Sequence, residues 1–119
     1  MMIDFAELRA RARAREKWTV DVEEWGGAVT LREMTGAQRM SIGERAQSLV
    51  DRHGVSQSFA MISVLVALSV IDDDGEAVFS ADDFVDWRDA ELAGLTKIAQ
   101  AVLARNAVSS DEGDEILGN

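Results

Sequence analysis

Between Trp18 and Arg32 apolar and polar residues alternate. Trp18, Val20 and Val22 are separated by Thr19 and Asp21, and after Gly26-Gly27 the residues Val29 and Leu31 alternate with Thr30 and Arg32. A period of two puts alternate side chains on one face of a strand, so residues 18–33 predict a β-hairpin with one apolar face. A two-residue Gly26-Gly27 loop supplies the positive φ angles of tight hairpin turns. The register it sets places Val22 opposite Leu31 and Asp21 opposite Arg32, an apolar pair and an opposite-charge pair that both favour it. Trp25 then falls beside the turn, either as a lid on the core or as a contact for a neighbouring subunit.

From Thr35 the spacing becomes helical. Thr35 and Gln38 have capping-box spacing, and a helix is expected over about 35–52, with Ala37, Met40, Ala46, Leu49 and Val50 as an approximate apolar stripe and Gly54 as its C-terminal cap. The next helix, 56–71, is apolar on nearly all sides, from Phe59 through Leu65 to Ile71. Such a helix must be covered on several sides, as the central core helix or as one that offers a face to another subunit. In "IDDDGEAVFSADDF", Asp72 to Gly75 is turn chemistry, Val78 and Phe79 form a short extended piece, and the Ser80 and Asp83 spacing starts a short helix, 81–87, containing Phe84 and Trp87. The last helix, 89–105, carries Leu92, Leu95, Ile98, Ala99, Val102 and Leu103 as a clear amphipathic stripe.

Before the hairpin, alanines, Phe5 and Leu8 favour a helix, while arginines at every second position point to several faces. Residues 1–17 are a basic lead-in, helical or mobile, that is either simply solvated or a binding segment for RNA or an acidic partner. Residues 107–119 are polar and acidic and are expected to be disordered. The expected architecture is a single domain over 18–106 of the α+β class, mostly α-helical, with an N-terminal hairpin packed on three to four helices.

Composition narrows the function. At 119 residues, 47% of them hydrophobic, the chain is long and apolar enough for one core. The absence of cysteine excludes disulfides, thiolate metal sites and cysteine nucleophiles. The longest apolar run, Phe59 to Ile71, is 13 residues, against about 20 for a bilayer span, and no secretory signal is visible, so a soluble, intracellular protein without membrane contact is expected. The net charge of −10 is unevenly placed, at +2 over residues 1–17 and −12 over the remainder. An acidic body repels phosphate backbones, which confines any nucleic-acid contact to the basic lead-in.

Catalytic and metal chemistry find little support. Aligned as an EF-hand with Gly75 at loop position 6, the segment has Val70 at position 1 and Ala81 at position 12, so two key carboxylates are missing. The acids between Asp72 and Glu91 read as a solvated patch able to meet a basic partner. His53 is the single histidine and sits where it serves the end of a helix. No G-x-S-x-G, S-x-x-K or glycine-rich phosphate loop is present. No catalytic, cofactor or metal residue is assigned and no enzyme is expected. The candidate site residues are partner contacts: Trp25, Phe84, Trp87, Asp82, Asp83 and Asp86.

The order of the motifs carries more than any one of them. "VEEWGGAVTLREMTGAQR", two helices, "LSVIDDDGEAVFSADDF" and a final amphipathic helix ending in "ARN" before an acidic tail resemble the tail assembly chaperones of long-tailed bacteriophages. The resemblance covers about Val20 to Asn106. It implies a non-enzymatic assembly factor of the host cytoplasm, absent from the mature virion. Such a factor binds the tape measure protein, keeps that long helical chain soluble, helps recruit tail tube subunits and self-associates. It also implies a longer form made by ribosomal frameshifting, of which a chain ending in "EILGN" suits the shorter partner. The alternative from a different class is a small regulatory nucleic-acid-binding protein that uses Arg9, Arg11, Arg13 and Arg15.

Overall fold

A computed structural model describes residues 1–105. Asn106 and the acidic segment 107–119 lie outside the described residues. The chain forms a hairpin on a small helix bundle, the α+β, mostly helical architecture expected from its periodicity.

Strands β1 (Lys17–Val22) and β2 (Gly27–Arg32) pair antiparallel, with Trp18 opposite Leu31, Val20 opposite Val29, and Val22 opposite Gly27. Each β1 residue thus meets a partner four places earlier than a Gly-Gly turn dictates, which corrects the expected register. Glu23–Trp25 winds into a 3-10 turn, closed by the Gly26 N–H on the Glu23 carbonyl at 3.0 Å with Gly26 at φ +80°. Because the shift is even, every side chain keeps its face, and Val22 and Leu31 are both fully buried. The predicted Asp21–Arg32 pair is also replaced. Arg32 lies opposite Lys17 and donates to the Gly75 carbonyl at 3.0 Å, tying the end of β2 to the acidic turn.

Helix α1 (Phe5–Arg13) is capped by Asp4, whose Oδ1 accepts from the Ala6 and Glu7 N–H groups, and it buries no residue. The helix expected over 35–52 is two helices, α2 (Gly36–Met40) and α3 (Ile42–His53). The Thr35–Gln38 capping box opens α2. Ser41 divides the pair: its hydroxyl and its N–H both donate to the Gln38 carbonyl, at 2.7 and 3.1 Å, while its side chain accepts from Arg45. Gly54, at φ +69°, ends α3 with its N–H on the Val50 carbonyl.

Helix α4 (Gln57–Ser69) lies between α3 and α5 (Asp89–Arg105) and is the core helix. It stops two residues before the predicted end. Val70 and Ile71 form strand β3, which pairs with the free edge of β2 through Thr30–Ile71 and Leu31–Val70, making β2 the centre of a three-stranded sheet. Both residues are β-branched and buried, and an open strand edge offers their backbone more than another helical turn would. The expected helix over 81–87 is a 3-10 turn, Ala81–Phe84, opened by Asp83 accepting from the Ser80 N–H.

The core joins Val22 and Leu31 of the hairpin, Leu49 of α3, Leu65 of α4, and Leu95 and Ile98 of α5. Two polar side chains interrupt it. Ser63 and Ser69 are fully buried on α4, and neither hydroxyl meets a hydrogen-bond partner among the described residues. An unpaired buried hydroxyl is destabilising, so Ser63→Ala is expected to raise stability by about 1 kcal/mol. The urea midpoint rises with the slope of the transition unchanged.

Candidate docking surfaces

Four aromatic rings from three parts of the chain converge where the hairpin turn meets the start of α5. Trp25 stands edge-on to Phe79 and Trp87 at 5.9 and 5.6 Å between centroids, Phe79 to Trp87 at 5.5 Å, and Phe84 to Trp87 at 4.8 Å. Edge-to-face geometry is the arrangement that ring quadrupoles favour. The Trp25 indole N–H donates to the Glu91 carbonyl at 2.7 Å, in the first turn of α5. A Cβ on Gly94, one turn further on, would lie 2.4 Å from the indole nitrogen. Trp25 is therefore laid against a helix groove that only glycine leaves open.

Of the candidate partner contacts, Trp25 and Trp87 are half-buried and present ring surface to solvent. Phe84 is fully buried against Trp87 and Phe79 and supports the cluster without reaching the surface. Phe79, central to the cluster, was missed by the sequence reading, which took it only as extended backbone. Gly94 was also missed, although a lone glycine inside an apolar-striped helix is a signal of close approach.

The candidate acids have separate jobs. Asp83 Oδ2 accepts from Ser80, and Asp86 is exposed. Asp82 closes a clasp onto the end of α3, where its Oδ1 lies 2.7 Å from His53 Nε2 and is bound by the Arg52 guanidinium. Those hydrogen bonds, from His53 first and Arg52 second, hold the Asp82 carboxyl below its ordinary value of 3.8. As pH falls the unfolded chain takes the proton first. The clasp's contribution is therefore complete above pH 3.8 and is lost as pH drops through the lower folded value. The clasp is partly exposed, so water screens it. Asp82→Asn is expected to flatten the acid limb of the stability curve while leaving its shape above pH 5 unchanged, read by melting temperature against pH. At the start of α5 a hydrogen bond from Arg88 likewise lowers the Glu91 carboxyl, while Glu91 raises Arg88.

The Asp72 turn is held by its own backbone. Asp72 Oδ1 accepts from the N–H groups of Asp74 and Glu76, both at 2.9 Å, with Gly75 at φ +81°. That is an Asx turn, which gives the Asp72 carboxylate a local structural role.

On the other side of the Ala77–Asp82 strap lies an open cleft of about 630 Å³ between α3 and α4. Val64, Ala67 and Leu68 of α4 and Phe79 of the strap give it an apolar floor, and Glu44 and Arg45 of α3 stand at its rim. Apolar floor with charged rim is the surface chemistry of a protein-docking groove.

No family model and no curated protein matches the chain. Among solved structures, the chain is similar to one described as the tail assembly chaperone of bacteriophage HK97, at 24% identity and a TM-score of 0.49, over 79% of this chain and 95% of that one.

Proposed function

We propose that this protein is a phage tail assembly chaperone. It binds the tape measure protein, keeps it soluble in the host cytoplasm, helps recruit tail tube subunits and stays out of the mature virion. The ordered motifs from Val20 to Asn106 support this reading. The structural observation that carries it is the pair of half-buried indoles, Trp25 and Trp87, standing 5.6 Å apart on an acidic body. Large rings with exposed edges take up the apolar stripe of an amphipathic helix, and surrounding carboxylates meet its Lys and Arg while keeping the free chaperone soluble.

Co-expression with a tape measure fragment tests it. The soluble fraction of the fragment is expected to rise several-fold, and Asp86→Lys, on an exposed side chain, to reduce that gain. No gain with the parent chain sinks the reading. A second reading, nucleic-acid binding, is favoured by the exposure of Arg9, Arg11 and Arg13 along α1. It requires salt-dependent RNA or DNA binding that alanine at those positions removes.

A further inference from the structure

Arg11, Arg13 and Arg15 line an open groove of about 370 Å³ between the end of α1 and the connection at residues 33–36. Glu33 is the one acid among its lining residues, and its Oε1 already accepts from the Glu16 N–H at 2.8 Å. Arg15 is held by the Glu33 carbonyl and by Gln38 Oε1. Arg11 and Arg13 are exposed, and no ion pair among the described residues takes up either of them. A basic groove thus stands open on a chain of net charge −10. Helix α1 has nine residues and buries none of them, a length at which an isolated helix is marginal in water, so anything that covers it stabilises it.

Helix α5 ends beside this groove. Arg105, its last residue, donates to Glu16 Oε2 at 2.9 Å and lies over the Trp18 ring, and Glu16 directly follows the groove residue Arg15. The chain therefore continues from a point next to the root of α1. Residues 106–119 carry four acids, Asp111, Glu112, Asp114 and Glu115, and no base, and then Ile116 and Leu117. From its root outwards α1 shows the complementary order, with Arg13, Arg11 and Arg9 first and the exposed Leu8 and Phe5 after them. Reach is ample. The stretch from Asn106 to Asp111 spans about 20 Å when extended, against about 14 Å for the whole of α1.

We infer that residues 106–119 fold back along α1 of the same chain, with the acids of 111–115 on Arg11 and Arg13 at the groove and with Ile116 and Leu117 against Leu8 and Phe5. A tether of a few residues gives the acidic segment an effective concentration on the order of millimolar at the groove, so weak surface charge pairs are enough to hold it. The segment is then a built-in competitor for any phosphate or carboxylate ligand that approaches these arginines, and it shields Phe5 and Leu8 from water. The contact needs neither a client nor a second copy, so it stands or falls apart from the chaperone reading.

The chain has no cysteine, so Ser110→Cys in the full-length protein gives a single nitroxide site beside the acids. The label broadens the amide NMR signals of residues near it. Attachment at Arg105 already brings it towards the root of α1, so the same chain with Asp111→Asn, Glu112→Gln, Asp114→Asn and Glu115→Gln supplies the baseline. Signals of residues 5–13 should lose several-fold more intensity in the acidic chain than in that baseline. Salt at about 1 M, where the screening length falls to about 3 Å, should erase the difference. Arg11→Glu with Arg13→Glu should also erase it, and adding Asp111→Lys, Glu112→Lys, Asp114→Lys and Glu115→Lys should restore it. The helix buries no residue, so the arginine changes leave the core untouched. Equal loss in the acidic chain and the baseline overturns the inference. So does an equal loss in isotope-enriched chains mixed with nitroxide-bearing ones, since a second copy then takes the segment. An α1 that shows no loss and instead shifts on addition of single-stranded RNA overturns it too.

Discussion

Replacing Gly94 with alanine should destabilise the protein by about 2 kcal/mol, against the direction that helix propensity dictates. In a helix interior alanine is ordinarily better than glycine by about 1 kcal/mol. Here its methyl group would sit 2.4 to 2.9 Å from three atoms of the Trp25 indole. The indole is a rigid ring with nowhere to yield, because it is held by its 2.7 Å hydrogen bond to Glu91 and by edge contacts with Phe79 and Trp87. Overpacking of this kind costs about 1 to 3 kcal/mol, and displacing the ring also leaves its N–H unpaired, at about 1 kcal/mol more. Urea unfolding followed by circular dichroism reads the loss, and tryptophan fluorescence should shift to the red as Trp25 meets water. The decisive control is the background. In a Trp25→Ala chain the same Gly94→Ala change should become stabilising by about 1 kcal/mol, because only propensity then acts. If alanine stabilises both backgrounds equally, Trp25 does not pack on α5.

Phe84→Ala should be the more damaging change, at about 3 to 5 kcal/mol. The ring is fully buried and packs against Phe79 at 5.1 Å and Trp87 at 4.8 Å. Removing it leaves a cavity beside Phe79 and Trp87 and unties the 3-10 turn from α4. A domain of this size has about 5 to 15 kcal/mol of stability in total, so a substantial unfolded population follows at physiological temperature. Calorimetry should show the melting temperature falling by about 15 °C or more. A surface contact would behave in the opposite way, losing partner binding at unchanged stability. Trp87→Ala tests the layer above, and its smaller buried area predicts a smaller loss.

The apolar face of the hairpin was legible because period two survives any even shift of register. The register itself was not. It depends on a 3-10 turn at Glu23–Trp25, and Trp25 in that turn is tied to the Glu91 carbonyl, 66 residues away in sequence. Val70 and Ile71 continue the apolar run of α4 and read as its last turn, yet the exposed edge of β2 recruits them as a strand. Ser41 divides a helix whose stripe looked continuous, through one side-chain hydrogen bond to Gln38.

Among the candidate contacts, residue type showed that Trp25, Phe84 and Trp87 mattered without showing which of them reach the surface. The cleft was hidden for a related reason. Val64, Ala67 and Leu68 belong to a helix that is apolar all round, so periodicity could not separate the side that packs inward from the side left open.

By itself the sequence determined the class of fold, the position of the hairpin, the caps at Thr35 and Gly54, the all-round apolar character of the helix after Ser56 and the opposition between a basic lead-in and an acidic body. These follow from local chemistry: spacing, side-chain type and charge act within a turn or two of chain. Only the tertiary structure decided the strand register, the third strand, the burial of Phe84, the need for glycine at position 94 and the open cleft beside α4. Each of those depends on which distant surface arrives first to cover an apolar face or satisfy a backbone group, and that competition is settled in three dimensions.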